Sequence, residues 1–309
     1  MAQQNLKIVI VGSSNTDLTV RVPHFPLPGE TLMGTDFMTA QGGKGANQAV
    51  AVARLGGQAV FVARLGDDAF GKATLPLLQA EGMDTSHVLL TPGASSGVAL
   101  IPVDSKGENN IIVASGANAL LSPEDVEAAQ ADIQSAAILL MQLETPMPTL
   151  LRAAQIAHEA GVKVVLNPAP FPPEGVPAEL LKLCTLVIPN ETEAATMTGV
   201  EITDDASALQ AIQKMQKMGV QNAIITLGKR GACTINEQGE FKRIDAFKVQ
   251  AVDTVAAGDT FCGALCVALC KGYPVETAIL IGNKASSIAV TRKGAQPSVP
   301  REEEVFPKF

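Results

Sequence analysis

Apolar residues along this chain fall into short unbroken runs separated by stretches of helical period. Strand-like runs recur at Lys7 to Val11, Ala59 to Ala63, Ala137 to Met141, Lys163 to Leu166, Leu186 to Ile188 and Ala223 to Thr226. Most are followed by a helix-period stretch, such as Ala46 to Leu55, Thr149 to Ala160 and Ala206 to Met218. In the last of these, Leu209, Ile212, Met215 and Met218 share one face. Unbroken apolar strands need cover on both sides, so the alternation predicts an α/β fold: a doubly wound, mostly parallel sheet with helices on both faces. Ser122-Pro-Glu-Asp125 combines an N-cap, a proline in the first helical position and acidic residues in the first turn, which predicts a helix from there to about Ser135.

Two segments break the rhythm. Asp17 to Val22 alternates, with Leu18, Val20 and Val22 on one side and Thr19 and Arg21 on the other, and stops at Pro23. Gly97 to Val113 reads as two short strands around the turn Asp104-Ser-Lys-Gly107. This patterning predicts a small antiparallel β lid, built from about 15 to 40 and 97 to 113, on a single domain spanning 1 to 309. Its apolar face must be hidden by a closed cleft or a second subunit, which predicts a homodimer through the lid.

Composition narrows the function. Hydrophobic residues make up 47% of the 309, enough for a substantial core. The longest apolar runs, Ala136 to Met141 and Cys262 to Cys270, fall far short of the roughly 20 residues a membrane span needs. The first residues lead straight into Ile8-Val-Ile-Val11 without the pattern of a signal peptide, and the five cysteines lack a disulfide framework, so a cytoplasmic protein is expected. Cys262, Cys266 and Cys270 line one helical face and read as small hydrophobes rather than a soft-metal site, since no His lies near them. A net charge of −8 without a basic cluster argues against nucleic acid or anionic membrane as partner.

Three glycine segments bear on phosphate chemistry, because a parallel sheet gathers loops and helix N-termini at one edge. Gly66-Asp-Asp-Ala-Phe-Gly-Lys72 has phosphate-loop spacing, but Ala73 replaces the magnesium-binding hydroxyl and Asp67 and Asp68 repel phosphate, so it reads as a capped turn. Gly42-Gly-Lys-Gly-Ala-Asn47 precedes a helix and offers Lys44 and Asn47 as donors; a tight turn with an incidental lysine explains it as well. Ala256-Ala-Gly-Asp259 opens another helix, where backbone N–H groups and a carboxylate would sit side by side, and there Asp259 reads as a general base or as a simple helix cap.

The last two segments, in this order, resemble the two signatures of the ribokinase family of carbohydrate kinases. The likeness runs through Ser14-Asn-Thr-Asp17, Pro28-Gly-Glu30, Gly66-Asp-Asp68, Gln142-Leu-Glu144, Asn167-Pro168, Pro189-Asn-Glu-Thr-Glu193, Thr226-Leu-Gly228, Asp253 to Asp259 and Thr291 to Ser298. It implies ATP-dependent phosphorylation of the primary 5-hydroxyl of a pentose such as ribose, with Asp259 as base and Ala257 and Gly258 in the anion hole. A kinase for 2-deoxyribose, another sugar or a nucleoside, and a sugar sensor without turnover, are the alternatives. By the same resemblance Asn15, Thr16, Asp17, Gly43, Lys44, Gly45, Asn47 and Glu144 bind the sugar. Asn190 and Glu193 orient the phosphates, Glu193 holding Mg2+ largely through water, while Thr226, Leu227, Gly228, Gly231 and Asn283 border the nucleotide. Asp253, Val255, Ala289, Arg292, Gly294 and Ser298 match positions that bind a monovalent cation, K+, mostly through backbone carbonyls. The chain departs from the commonest family form in carrying Ala256 where Gly is usual, and Ser14 and Thr16 are also less typical.

Overall fold

The computed structural model describes residues 5–306. In chain order its strands are β1 (Lys7–Val11), β2 (Asn15–Arg21), β3 (Thr35–Gly42), β4 (Gln58–Gly66), β5 (Asp84–Thr91), β6 (Gly97–Val103), β7 (Ile112–Ala114), β8 (Ile138–Met141), β9 (Lys163–Leu166), β10 (Leu186–Val187), β11 (Asn222–Thr226), β12 (Ala232–Ile235) and β13 (Phe241–Ile244). Nine form one sheet in the order β13-β12-β11-β10-β9-β8-β1-β4-β5. Every neighbouring pair from β11 to β5 is parallel, and β12 and β13 add an antiparallel end. All six expected strands lie in this sheet. The pattern of β1 explains the layering: Ile8 and Ile10 pack with Phe61 and Leu140 under helices on one face, Val9 and Val11 with Leu139 and Met141 under helices on the other.

The strands that patterning did not indicate are β3, β5, β12 and β13. Three of them lie at sheet edges, where one flank stays open and a strand needs no apolar run. The helix expected from Ser122 to Ser135 is two, Pro123–Ala128 and Gln130–Ser135, separated at Ala129 (φ −91°, ψ 7°). Val126, Ala129 and Ile133 still pack into one core, so the break leaves the apolar stripe intact. Asp125 accepts the Ser122 N–H at 2.8 Å, as expected of a helix start.

The phosphate-loop look-alike is a capped turn. Asp68 Oδ1 accepts the Gly71 N–H at 2.8 Å, its Oδ2 accepts the Ser96 N–H at 2.7 Å, and Lys72 pairs with Asp67. Cys262 and Cys266 lie in the core, where burial pushes their thiols well up; the same cause lifts half-buried Cys270 to about 11. Among the described residues no helix is long and apolar enough to cross a membrane.

The remaining four strands form a small sheet in the order β3-β2-β6-β7. β2–β3 and β6–β7 are antiparallel, and the central pair β2–β6 is parallel. The turn at Asp104 to Gly107 closes as read, with Asp104 N–H donating to Glu108 O at 2.9 Å and Gly107 at φ 84°. Registered neighbours share a face. Asp17, Ala99 and Val113 therefore form one row, and Leu18, Leu100 and Ile112 form the next on the opposite face, where Leu100 is 46% and Ile112 62% exposed.

Candidate active site

The chain leaves each parallel strand of the large sheet at the same edge, and the candidate residues follow directly. Ser13 and Ser14 come after β1, Gln142 and Glu144 after β8, Asn167 after β9, Asn190 after β10, and Leu227 and Gly228 after β11. Helices Lys44–Arg54, Glu191–Thr198 and Ala257–Cys270 begin at this edge, so the positive ends of their dipoles face the same space. A 210 Å³ cleft there is lined by Lys44, Asn190, Glu193, Thr226, Gly258 and Asp259, among others.

Asp259 is not a cap. The helix begins after Ala256, and the Asp259 carboxylate, 6% exposed, turns inward to accept from Asn47 Nδ2 at 3.0 Å and Gln48 Nε2 at 2.9 Å. Asn47 Oδ1 is left buried without a partner, an acceptor positioned beside the carboxylate. Gly43 (φ 86°) brings the loop before helix Lys44–Arg54 flat against the segment after β1; a Cβ there would stand 2.7 Å from Asn15 N.

Polar groups for a polyol lie beside this carboxylate. Glu144 accepts from Ser13 Oγ and from Lys44 N at 3.0 Å, and Gly45 N donates to Ser13 Oγ at 3.3 Å. Asn15 Oδ1 accepts from Asn118 Nδ2 at 2.7 Å, and Asn118 Oδ1 accepts the Ser14 N–H at 2.9 Å. Burial, reinforced by Glu144 and Asp259, raises the Asp17 carboxyl to about 6. Thr16 is buried on the face of β2 opposite Asn15 and Asp17. Burial alone would lower the Lys44 ammonium, but Asp259, Glu144 and Glu193 outweigh it and hold the group above its ordinary value.

On the other side of the cleft Asn190 and Glu193 form a reciprocal capping box, Asn190 N donating to Glu193 Oε2 at 2.9 Å and Glu193 N to Asn190 Oδ1 at 2.8 Å. Both also line the cleft, and burial raises the Glu193 carboxyl. Gly258 meets nothing within 4 Å of a built Cβ and has no left-handed φ, so the protein itself makes no demand for glycine there. Such open space at a helix N-terminus fits a phosphate approaching the backbone. One carboxylate and one amide are a sparse donor set, and among the described residues no three His, Cys, Asp or Glu could share a metal. That set fits Mg2+ arriving on phosphates with water in most positions. Gly228 (φ 54°) and Gly231 (φ 91°) flank the turn after β11, where Leu227 N donates to Gly231 O at 2.7 Å. Asn283 spends its amide on Ile244 O and Asp245 O, fixing the end of β13.

Of the residues matched to a monovalent cation, Asp253 and Val255 lie before helix Ala257–Cys270, Ala289 ends helix Val275–Ala289, and Arg292, Gly294 and Ser298 follow it. Asp253 Oδ2 accepts the Gly294 N–H at 2.9 Å and its Oδ1 accepts the Val255 N–H at 3.0 Å. Arg292 pairs with Glu304, Arg292 N donates to Ala289 O at 2.9 Å, and Ser298 Oγ donates to Ala295 O at 2.7 Å. Ala256, next along, holds a left-handed φ of 57°.

Sequence reading did not single out Ser13, Gln48 or Asn118. Each is a short polar residue inside an otherwise apolar or turn-like segment, and its role exists only through partners far away in sequence.

The pfkB family carbohydrate kinase description matches residues 5–302. The chain is 45% identical to the ribokinase of Haemophilus influenzae over 97% of both chains, and 36% identical to a deoxyribokinase of Salmonella typhimurium, again over 97% of both. It superposes on the Arabidopsis thaliana ribokinase complexed with ribose and ATP with a TM-score of 0.90, at 32% identity and 98% coverage of each chain. With the fold, the sheet-edge site and the full-length match in agreement, this chain belongs to the pfkB family of carbohydrate kinases.

Proposed function

We propose that the chain transfers the γ-phosphoryl group of ATP to the primary 5-hydroxyl of D-ribose, giving ribose 5-phosphate and ADP, with Asp259 as general base. The observation that carries this reading is a buried carboxylate, oriented by two amides, at a helix N-terminus facing Lys44. The hydroxyl oxygen bonds to the γ-phosphorus, the bond from phosphorus to the bridging oxygen of ADP breaks, and the hydroxyl proton passes to Asp259. The N–H groups at Ala257 and Gly258 and the Lys44 ammonium stabilise charge developing on the transferred group. Glu193 and Asn190 would hold, largely through water, a magnesium ion arriving with the nucleotide, which would supply further positive charge to the phosphates. The face of the small sheet that carries Asp17 and Val113 acts as a lid, keeping water from the phosphoryl group.

Ribose is favoured over 2-deoxyribose because Asp17 and the free Asn47 Oδ1 offer acceptors for adjacent hydroxyls. The kcat/KM for ribose is expected to exceed that for 2-deoxyribose by at least about tenfold, since a site built to bind a hydroxyl penalises its loss. Comparable values in a coupled ATP assay would reassign the chain to the deoxyribose-accepting enzyme.

Potassium is expected to raise the rate by ordering the loops of Asp253 and of Gly294 to Ser298, which adjoin the anion hole through Ala256. Equal rates in potassium and tetramethylammonium would remove the cation site. The exposed row Leu100 and Ile112, with Leu18, supports a homodimer through the small sheet. Light scattering should give twice the 32.0 kDa chain mass at micromolar concentration, and a monomer would exclude this assembly. Five unpaired cysteines support a cytoplasmic location.

A further inference from the structure

We propose that Gln48 is a positioning residue for Asp259, the innermost member of a relay of neutral amides that fixes the base against the ends of β8 and β9. The proposal rests on the reading of Asp259 as general base. Gln48 is fully buried one residue after Asn47, and its Nε2 donates to both Asp259 Oδ1 (2.9 Å) and Asn167 Oδ1 (3.1 Å). Its Oε1 accepts from Gln142 Nε2 at 2.6 Å. Both ends of the Gln48 amide are therefore assigned: turning it over would set its oxygen against two acceptors and its nitrogen against a donor. Asn167 is pinned in turn, donating from Nδ2 to Ile188 O at 2.9 Å.

The backbone makes room for this relay at two glycines. A Cβ on Gly263 would lie 2.5 Å from Ala51 Cβ and 3.2 Å from Gln48 O, so glycine there lets helices Ala257–Cys270 and Lys44–Arg54 meet closely enough for Gln48 to reach Asp259. A Cβ on Gly12 would stand 2.2 Å from Gln142 Oε1, in the space that amide occupies. Neutral donors suit the task. A cation bonded to Asp259 would hold its charge in place and resist protonation by the substrate, whereas amides fix the plane of the carboxylate with no net charge. Asn47 holds the other oxygen, so the two consecutive side chains set the carboxylate plane between them. The remaining lone pairs are left for the attacking hydroxyl.

Replacement by methionine keeps the length of Gln48 and removes the donors. Gln48→Met is expected to lower kcat with ribose about 10–100-fold while both KM values stay within about threefold, because misplacing the base affects the transition state more than either ground-state complex. In an Asp259→Asn background the same change should cost less than about twofold, since the group it positions no longer acts as a base. Unchanged kcat in Gln48→Met, or an equal loss in both backgrounds, would overturn the proposal. If Gln48→Met does not fold, Gln142→Met decides, removing one link further out while leaving both Gln48 donors in place; its kcat should fall about three- to tenfold with KM unchanged, and an unaltered kcat would equally sink the idea. An Asp259→Asn enzyme with near-full turnover refutes the base itself, a separate outcome from either of these.

Discussion

Asp259→Asn is expected to reduce kcat by at least about 10²–10⁴-fold, the usual worth of general-base assistance, with ATP and ribose binding by calorimetry changing far less. The fold should tolerate the change for a reason specific to this site. Asp259 Oδ2 accepts from Asn47 Nδ2, and Asn47 Oδ1 has no partner. If the new amide presents its oxygen to Gln48 and its nitrogen to Asn47, the Asn47 amide can turn over, so that its unpartnered oxygen accepts the new N–H. The flip exchanges one buried oxygen without a partner for one buried amide N–H2 without one, so the number of unsatisfied groups does not rise and the melting temperature should move by no more than a few degrees. A variant that loses activity only by unfolding, or that keeps most of its turnover, would return Asp259 to a structural role.

Asp17→Asn is expected to cost about 10²-fold or more in kcat/KM for ribose and yet to stabilise the ligand-free protein at neutral pH. Bonds from sugar hydroxyls to a carboxylate are each worth about 1.5–3 kcal/mol, and an amide keeps only one acceptor oxygen. Stability moves the other way because burial, Glu144 and Asp259 raise Asp17 from 3.8 to about 6. The folded state therefore binds more protons than the unfolded chain between those values, and stability falls as pH rises through that window. At pH 7–8 the ionised group leaves a penalty of about 1–3 kcal/mol that Asn would relieve. Thermal unfolding of both proteins from pH 4 to pH 8 should show the two curves separating as pH rises, and the wild-type ribose KM should increase below pH about 6. Parallel stability curves would mean that Asp17 lies in a more solvated setting.

How much of this was legible beforehand depended on how local each signal was. The central strands announce themselves because burial on both faces demands continuous apolar runs, as in Ile8-Val-Ile-Val11. Glycine segments before helices mark where backbone must approach closely, so Gly43, Lys44, Asn47 and Asp259 could be assembled from spacing and family likeness. The relay through Gln48 could not. Its partners Gln142 and Asn167 are 94 and 119 residues away, and a glutamine within Ala-Asn-Gln-Ala carries no mark of the polar layer it enters. Edge strands β5 and β13 escaped for the opposite reason: their exposed flank permits polar residues that read as loop. Asn118 sits in a short 3₁₀ turn whose sequence, Gly116-Ala-Asn-Ala-Leu120, predicts nothing about the Asn15 side chain it holds.

The two faces of the small sheet carry a consequence for errors in assembly. Asp17 and Leu18 are adjacent on β2, and through the register with β6 and β7 one heads the row that faces the cleft and the other the row that faces outward. A slip of β6 and β7 by one residue against β2 would turn their rows over, placing Leu100 and Ile112 on the Asp17 side and Ala99 and Val113 outward. Chains with a misregistered small sheet would thus lose substrate recognition and their apolar outer surface in a single event. In the dimer proposed above, inactive protein of this kind would fail to associate, and so would be sorted away from competent subunits instead of poisoning them.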